Sequence, residues 1–229
     1  MRRFLTEKEE GHTDSSMTEK LFTCAKCGAE GCMKEDRVFP QGCMTLKAEE
    51  DGVLADALRE YEKADVLKMA RAAAAVEAEY YCKAPRVEEI VHFARKMDYR
   101  KIGIATCAAL IEETRIFARV LEGAGLTPYG VACKAGRVNK RKIGIPDEGQ
   151  VHPGEFEPIC NPVLQAMLLN EEGTDLNVIV GLCVGHDSLF IKYSEAPVTT
   201  LIAKDRVLAH NPAGALYMTK NFYKRLFEL

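Results

Sequence analysis

The chain has 229 residues, 47% of them hydrophobic and 28% charged, which is ordinary globular composition and enough for one large domain or a domain plus a small module. Its 31 basic and 34 acidic side chains leave a formal net charge of −3, which argues against broad nucleic-acid binding while leaving room for a local basic patch. No apolar run approaches the roughly 18 to 20 residues needed to cross a bilayer, so no membrane association is expected.

Residues 1–16 are charged and polar after Phe4-Leu5 and lack the apolar core of a signal peptide. They read as a disordered extension, with Met17 a candidate start and the cytoplasm the expected location. Nine cysteines are unusual there, because cytosolic thiols stay reduced. Metal binding or thiol chemistry explains them better than disulfides.

Residues 17–48 read as a cysteine-rich module. Gly28, Gly31, Pro40 and Gly42 punctuate it, and it has neither helical nor strand period. So short a segment cannot build an apolar core, but a metal can order it. Cys24-x2-Cys27-x4-Cys32-x10-Cys43 supplies a two-thiolate hook and two further thiolates, a tetrahedral set suited to zinc or a 4Fe-4S cluster. The competing reading, unligated cysteines in a loop, leaves the segment with little to order it. Four protein ligands leave no open position, so a structural role is expected at this site.

Residues 49–98 read as a helical segment. Leu54, Leu58, Tyr61, Ala64, Leu67, Ala70 and Ala74 recur at helical spacing, as one helix or as two broken near Asp65. A further helix follows Pro85, with Val87, Ile90, Val91, Ala94 and Met97 inward. From residue 99 to 229 the pattern alternates between the two kinds of element. Strands are expected at 101–106, 127–132, 177–182 and 198–203. Helices are expected at 109–122, from Asn161-Pro162 to about Asn170, and after Asn211-Pro212. A polar loop occupies the stretch after the second strand. The expected fold is α/β, a Rossmann-like open parallel sheet with flanking helices, whose ligands bind beyond the carboxyl ends of its strands.

Cys107, Cys133 and Cys183 each follow a strand, and Cys160 precedes the helix opened by Asn161-Pro162, where the dipole favours a thiolate. Any one of them alone is better read as a buried structural cysteine. All four at such positions point to a second, cofactor-binding site at the sheet edge. Gly181 and Gly185 beside Cys183 allow close backbone approach. His186 and Asp187 are the candidate catalytic residues, for ligation or proton transfer. Lys134, Arg137, Lys140, Arg141 and Lys142 form either a solvated loop or an anion-binding lid. Lys204-Asp205-Arg206 falls at the same rim, and His210 is a weaker candidate ligand or acid. Cys82 has no evident partner and is expected to be structural.

The N-terminal quartet, Gly103-Ile104-Ala105-Thr106-Cys107, Cys160-Asn161-Pro162-x-x-Gln165-Ala166, Gly181-Leu182-Cys183-Val184-Gly185-His186-Asp187 and Lys204-Asp205-Arg206-x-x-x-His210-Asn211-Pro212 resemble the family known as domain of unknown function 1847. The resemblance spans about residues 20–218. It implies a prokaryotic protein of the kind described simply as metal- or zinc-binding because of its N-terminal cysteines, and it implies no particular reaction.

Three functions are therefore expected to compete. One is redox or Lewis-acid chemistry on a small anionic molecule at a cysteine-lined, iron–sulfur or other metal site. The second is a non-catalytic, zinc-stabilised protein that binds a small molecule or a partner. The third is sulfur or metal handling by a reactive Cys183 or Cys160. Nothing in the chain decides its oligomeric state, and a homo-oligomer stays open.

Overall fold

The computed structural model describes residues 23–36 and 38–229. The expected extension at 1–16 and the start at Met17 lie outside the described residues. The chain divides into two compact units at Leu67/Lys68, inside the stretch read as one helical segment.

In the first unit, short 3-10 turns at Cys24–Lys26 and Gly31–Met33 precede two helices, Met44–Glu50 (α1) and Val53–Glu60 (α2). Gly31 is needed where it stands, because a Cβ there would lie 2.1 Å from the Val38 carbonyl oxygen. The cysteine segment thus folds back on itself at that point. Leu54, Leu58 and Tyr61, read from their spacing as one helix face, are exposed.

Ala64–Tyr80 (α3) spans the division, and of the two readings, one helix or two broken near Asp65, the chain takes the second. Its buried residues are Ala72 and Val76, whereas Ala64 and Ala74, counted on the inner face from the sequence, are exposed. The alanine run gave the helix its propensity but no contrast from which to read its inner face.

The second unit continues with Arg86–Lys96 (α4), Lys101–Thr106 (β1), Ile111–Gly123 (α5), Thr127–Ala132 (β2), Pro162–Glu172 (α6), Leu176–Val180 (β3), His186–Tyr193 (α7), Val198–Ile202 (β4) and Ala213–Tyr217 (α8). All four strands are parallel, in the order β2-β1-β3-β4. The chain is therefore α/β, as expected. The third strand ends two residues earlier than expected, and α7 was not foreseen. That helix is short, and only Phe190 of it is buried, so it carries almost no period.

β1 and β3 lie at the centre and read as continuous apolar runs because helices cover both faces. Gly103 lies against Leu169 of α6, while the Thr106 hydroxyl meets that of Thr114 on α5. By strand alternation, odd positions of β1 face α6 and even positions face α5. Ile102, Ile104, Val178, Ile179, Phe117, Leu121, Leu169 and Phe190 share one core, and burying each such side chain is worth about 1.5–3 kcal/mol. Among the described residues, no helix is long and apolar enough to cross a membrane.

Candidate functional site

The sheet ladder runs one residue past the ends of β1 and β2. The Cys107 N–H donates to the Val180 carbonyl at 3.0 Å, and the Cys133 N–H to the Thr106 carbonyl at 2.8 Å. Thr106 is the register partner of Ala132, so Cys107 and Cys133 occupy the next rung. Their odd parity turns both side chains toward the α6 face. The chain then returns to them, because the Asn161 N–H donates to the Cys133 carbonyl at 2.7 Å. Asn161 also caps α6, accepting from the Leu164 N–H at 3.1 Å. This tie sets Cys160 beside Cys133.

The three thiols lie close enough to influence one another, with Cys133 in the middle. Cys133 hydrogen-bonds to Cys107 and to Cys160, and these bonds push its own thiol upward. The same bonds hold Cys107 and Cys160 far below the ordinary thiol range, each lowered to about 5. Burial opposes the shift at both. Lys204 assists at Cys107, while Lys134 and the His186 ring assist at Cys160. The Cys133 sulfur also accepts from the Ala108 N–H at 3.3 Å. Cys183 stands beyond the third strand, and its sulfur accepts from the Arg206 guanidinium at 3.0 Å. Each of Cys107, Cys160 and Cys183 thus has its own cation.

All four strand-end cysteines line one cavity of about 480 Å³, together with His186, Lys134, Lys140 and Arg206. Gly181 makes the approach of β3 to this rim feasible. Its φ is +68°, and a Cβ there would lie 1.9 Å from the Leu110 Cδ1. His186 opens α7, and its Nδ1 is buried without a partner. Asp187 lies outside the cavity lining, and its carboxylate accepts from the Ser188 N–H at 2.8 Å.

The basic loop is tied down more than a lid would be. Lys140 pairs with Glu157 at 2.6 Å, Arg141 binds Asp147 through two bonds, and Arg137 lies over the Phe156 ring. Lys134 donates to the Pro158 carbonyl at 2.5 Å. His210 lies outside the lining, where its Nδ1 accepts from the Asp205 N–H at 3.1 Å and so shapes the loop that presents Arg206. Cys82 is exposed rather than a core residue.

The sequence reading gave Gln165 no role. It is fully buried on α6, and its Nε2 donates to the Thr106 carbonyl at 3.1 Å and the Val131 carbonyl at 2.6 Å. One side chain therefore ties together the strand ends that carry Cys107 and Cys133 and the helix that follows Cys160. A glutamine amid the apolar face of α6 was the available signal.

In the N-terminal quartet, Cys24 and Cys32 are exposed, Cys27 is partly exposed and Cys43 is buried. The Cys43 thiol is shifted down by the Thr45 backbone N–H. Among the described residues, no group of three or more His, Cys, Asp or Glu side chains is arranged to hold a metal ion as it stands.

Fold and site together define an all-parallel α/β protein with a thiol-lined crevice at the carboxyl edge of its sheet. The chain belongs to the family Protein of unknown function (DUF1847), whose model matches residues 43–201. That span contains Cys107, Cys133, Cys160, Cys183 and His186 but begins after Cys24, Cys27 and Cys32. The chain is 47% identical over 186 residues to Uncharacterized protein MJ0455 of Methanocaldococcus jannaschii, covering 81% of this chain and 94% of that one.

Proposed function

We propose that this is a cytosolic metal-binding protein that holds a thiophilic metal or iron–sulfur cluster on Cys107, Cys133 and Cys160, with a small molecule bound beside it. The carrying observation is that thiols scattered along the sequence line a single cavity. The donor set fits such a group. Thiolates are the preferred ligands of zinc and of iron–sulfur clusters, and His186 Nδ1 is a buried nitrogen awaiting a partner. Loading requires Cys133 to give up its proton, so uptake releases acid. A bound metal would supply a Lewis acid, or a cluster an electron. His186 is placed to move a proton at Nδ1, and Arg206 and Lys134 favour an anionic ligand. The cavity lies at the carboxyl edge beside β1 and β3, where the strand order reverses, which is the Rossmann-like feature of the reading. The N-terminal quartet is a second metal site in this proposal, supported by its spacing and purely structural.

The test is metal and sulfide analysis with an absorption spectrum on protein purified without oxygen. Iron and sulfide, or a soft metal, should be lost from Cys133→Ser while the metal of the N-terminal quartet remains. Colourless protein with about one zinc per chain, unchanged in Cys133→Ser and lost in Cys24→Ser, would overturn the sheet-edge site. It would leave a zinc-stabilised binding protein.

A further inference from the structure

We propose that Cys107, Cys133 and Cys160 form a thiol–disulfide relay, in which Cys160 reacts with a small organic disulfide and the bridge is passed inward to Cys107–Cys133. Cys133 shares a rung with Cys107, the Asn161–Cys133 backbone bond brings Cys160 to the same place, and all three line one cavity, so Cys133 can bridge to either but to only one at a time. Cys107 and Cys133 sit on adjacent parallel chains at one register position. Neighbouring strands lie about 4.8 Å apart, inside the roughly 4.4–6.8 Å window of Cα separations for a disulfide. Exposure sets the direction. Cys160 is partly exposed at the cavity wall, whereas Cys107 is 9% and Cys133 2% exposed. Cys183 is not in this chain of contacts, because its sulfur is held by Arg206.

The chemistry balances over three exchanges. The Cys160 thiolate attacks the organic disulfide, forming a mixed disulfide and releasing one organic thiolate, which takes the Cys133 proton. The Cys133 sulfur then attacks the Cys160 sulfur, forming Cys133–Cys160 and releasing the second organic thiolate to solvent. Finally the Cys107 thiolate attacks the Cys133 sulfur, forming Cys107–Cys133 and restoring the Cys160 thiolate. Two electrons pass from the Cys107/Cys133 pair to the organic disulfide, which leaves as one thiol and one thiolate that takes its proton from water. The relay does not rest on the metal proposal, although a metal on these sulfurs would mask them.

The test uses the full-length chain, reduced and treated with a chelator, with bis(2-hydroxyethyl) disulfide as probe. Disulfides are mapped by mass spectrometry of a non-reducing digest. The expected end product is a Cys107–Cys133 bridge with Cys160 recovered as a free thiol. Cys107→Ser should stop at Cys133–Cys160, and Cys133→Ser should hold the mixed disulfide on Cys160. The proposal is overturned if the unsubstituted chain ends with the probe still on Cys160. It is equally overturned if Cys107 and Cys133 stay reduced while Cys24, Cys32 or Cys82 react. Metal content, measured on a portion taken before chelation, reports separately on the metal site.

Discussion

The two groups of cysteines are held by different means. Among the described residues around the quartet the backbone makes single 3-10 turns, and Cys24 and Cys32 are exposed. Around the trio, the sheet ladder, the α6 cap and the Gln165 side chain fix three separate chain segments before any ligand arrives. In the proposal the first region depends on what it binds, whereas the second is built by its fold. A metal at the quartet would supply folding energy, whereas one at the trio would bind to chain segments that the fold has already brought together.

The largest expected effect separates the regions on this point. Stripping metal with a strong chelator should raise the rate of proteolytic cleavage between Cys24 and Cys43 by at least about tenfold, because no apolar core replaces the lost ligand bonds. The α/β unit should stay folded, its thermal transition falling only by the binding energy of the metal lost from the trio. Cleavage that ignores the chelator would remove the distinction.

Next comes Gln165→Met, which keeps the side-chain volume but removes both donated bonds. It also removes the unpartnered Oε1, which offsets part of the loss. A destabilisation of about 1–2 kcal/mol is expected, read from denaturant unfolding. Metal uptake at the trio should fall with it, while uptake at the quartet is unchanged. Uptake falling equally at both sites would show that Gln165 does not position the trio.

How much of this was legible follows from the kind of order involved. The quartet stands out because its cysteines are close in sequence, and spacing is visible in a string of letters. The trio has no spacing rule. Placing Cys107, Cys133, Cys160 and Cys183 at strand and helix ends was legible, because β1 and β2 begin and end where the apolar runs do. That they meet depends on strand order, and β2 could have paired elsewhere without altering a single local pattern. The tie from Asn161 to Cys133 and the grip of Arg206 on Cys183 are long-range contacts between loops, and loops carry no period. Asp187 and His210 were singled out by residue type alone, and the structure gives both to their own backbone.

A smaller effect tests the cations of the trio. Lys134→Met removes one of the groups that lower the Cys160 thiol, though not the principal one, which is Cys133. Cys160 has a depressed value in the folded state, so its thiolate persists as pH falls to about 5. Alkylation of Cys160 should therefore lose rate only near that pH, and in Lys134→Met the loss should begin at higher pH. At neutral pH the two rates should differ by less than about threefold, because enough thiolate remains in both. An unchanged profile would show that Lys134 serves the Pro158 carbonyl alone.

The smallest effect lies in the loop that forms the outer wall of the cavity. Glu157 is lowered from 4.5 to about 2, first by its bond from Lys140 and then by the N–H groups of His152 and Val151. A carboxylate depressed by folding stabilises the fold above its ordinary value, and that contribution disappears as pH falls from about 4.5 toward about 2. The Val151 and His152 amide resonances, whose N–H groups donate to Glu157 at 2.8 and 3.1 Å, should titrate near the lower of these values. In Lys140→Met their midpoint should move up toward the ordinary one, and the trio's metal content at neutral pH should not change. Amides that titrate near 4.5 in the unsubstituted chain would mean that the ion pair is not formed in solution. The wall of the cavity would then be free to open, and the contrast between a prepared site and a ligand-ordered one would hold for the sulfurs but not for the loop that covers them.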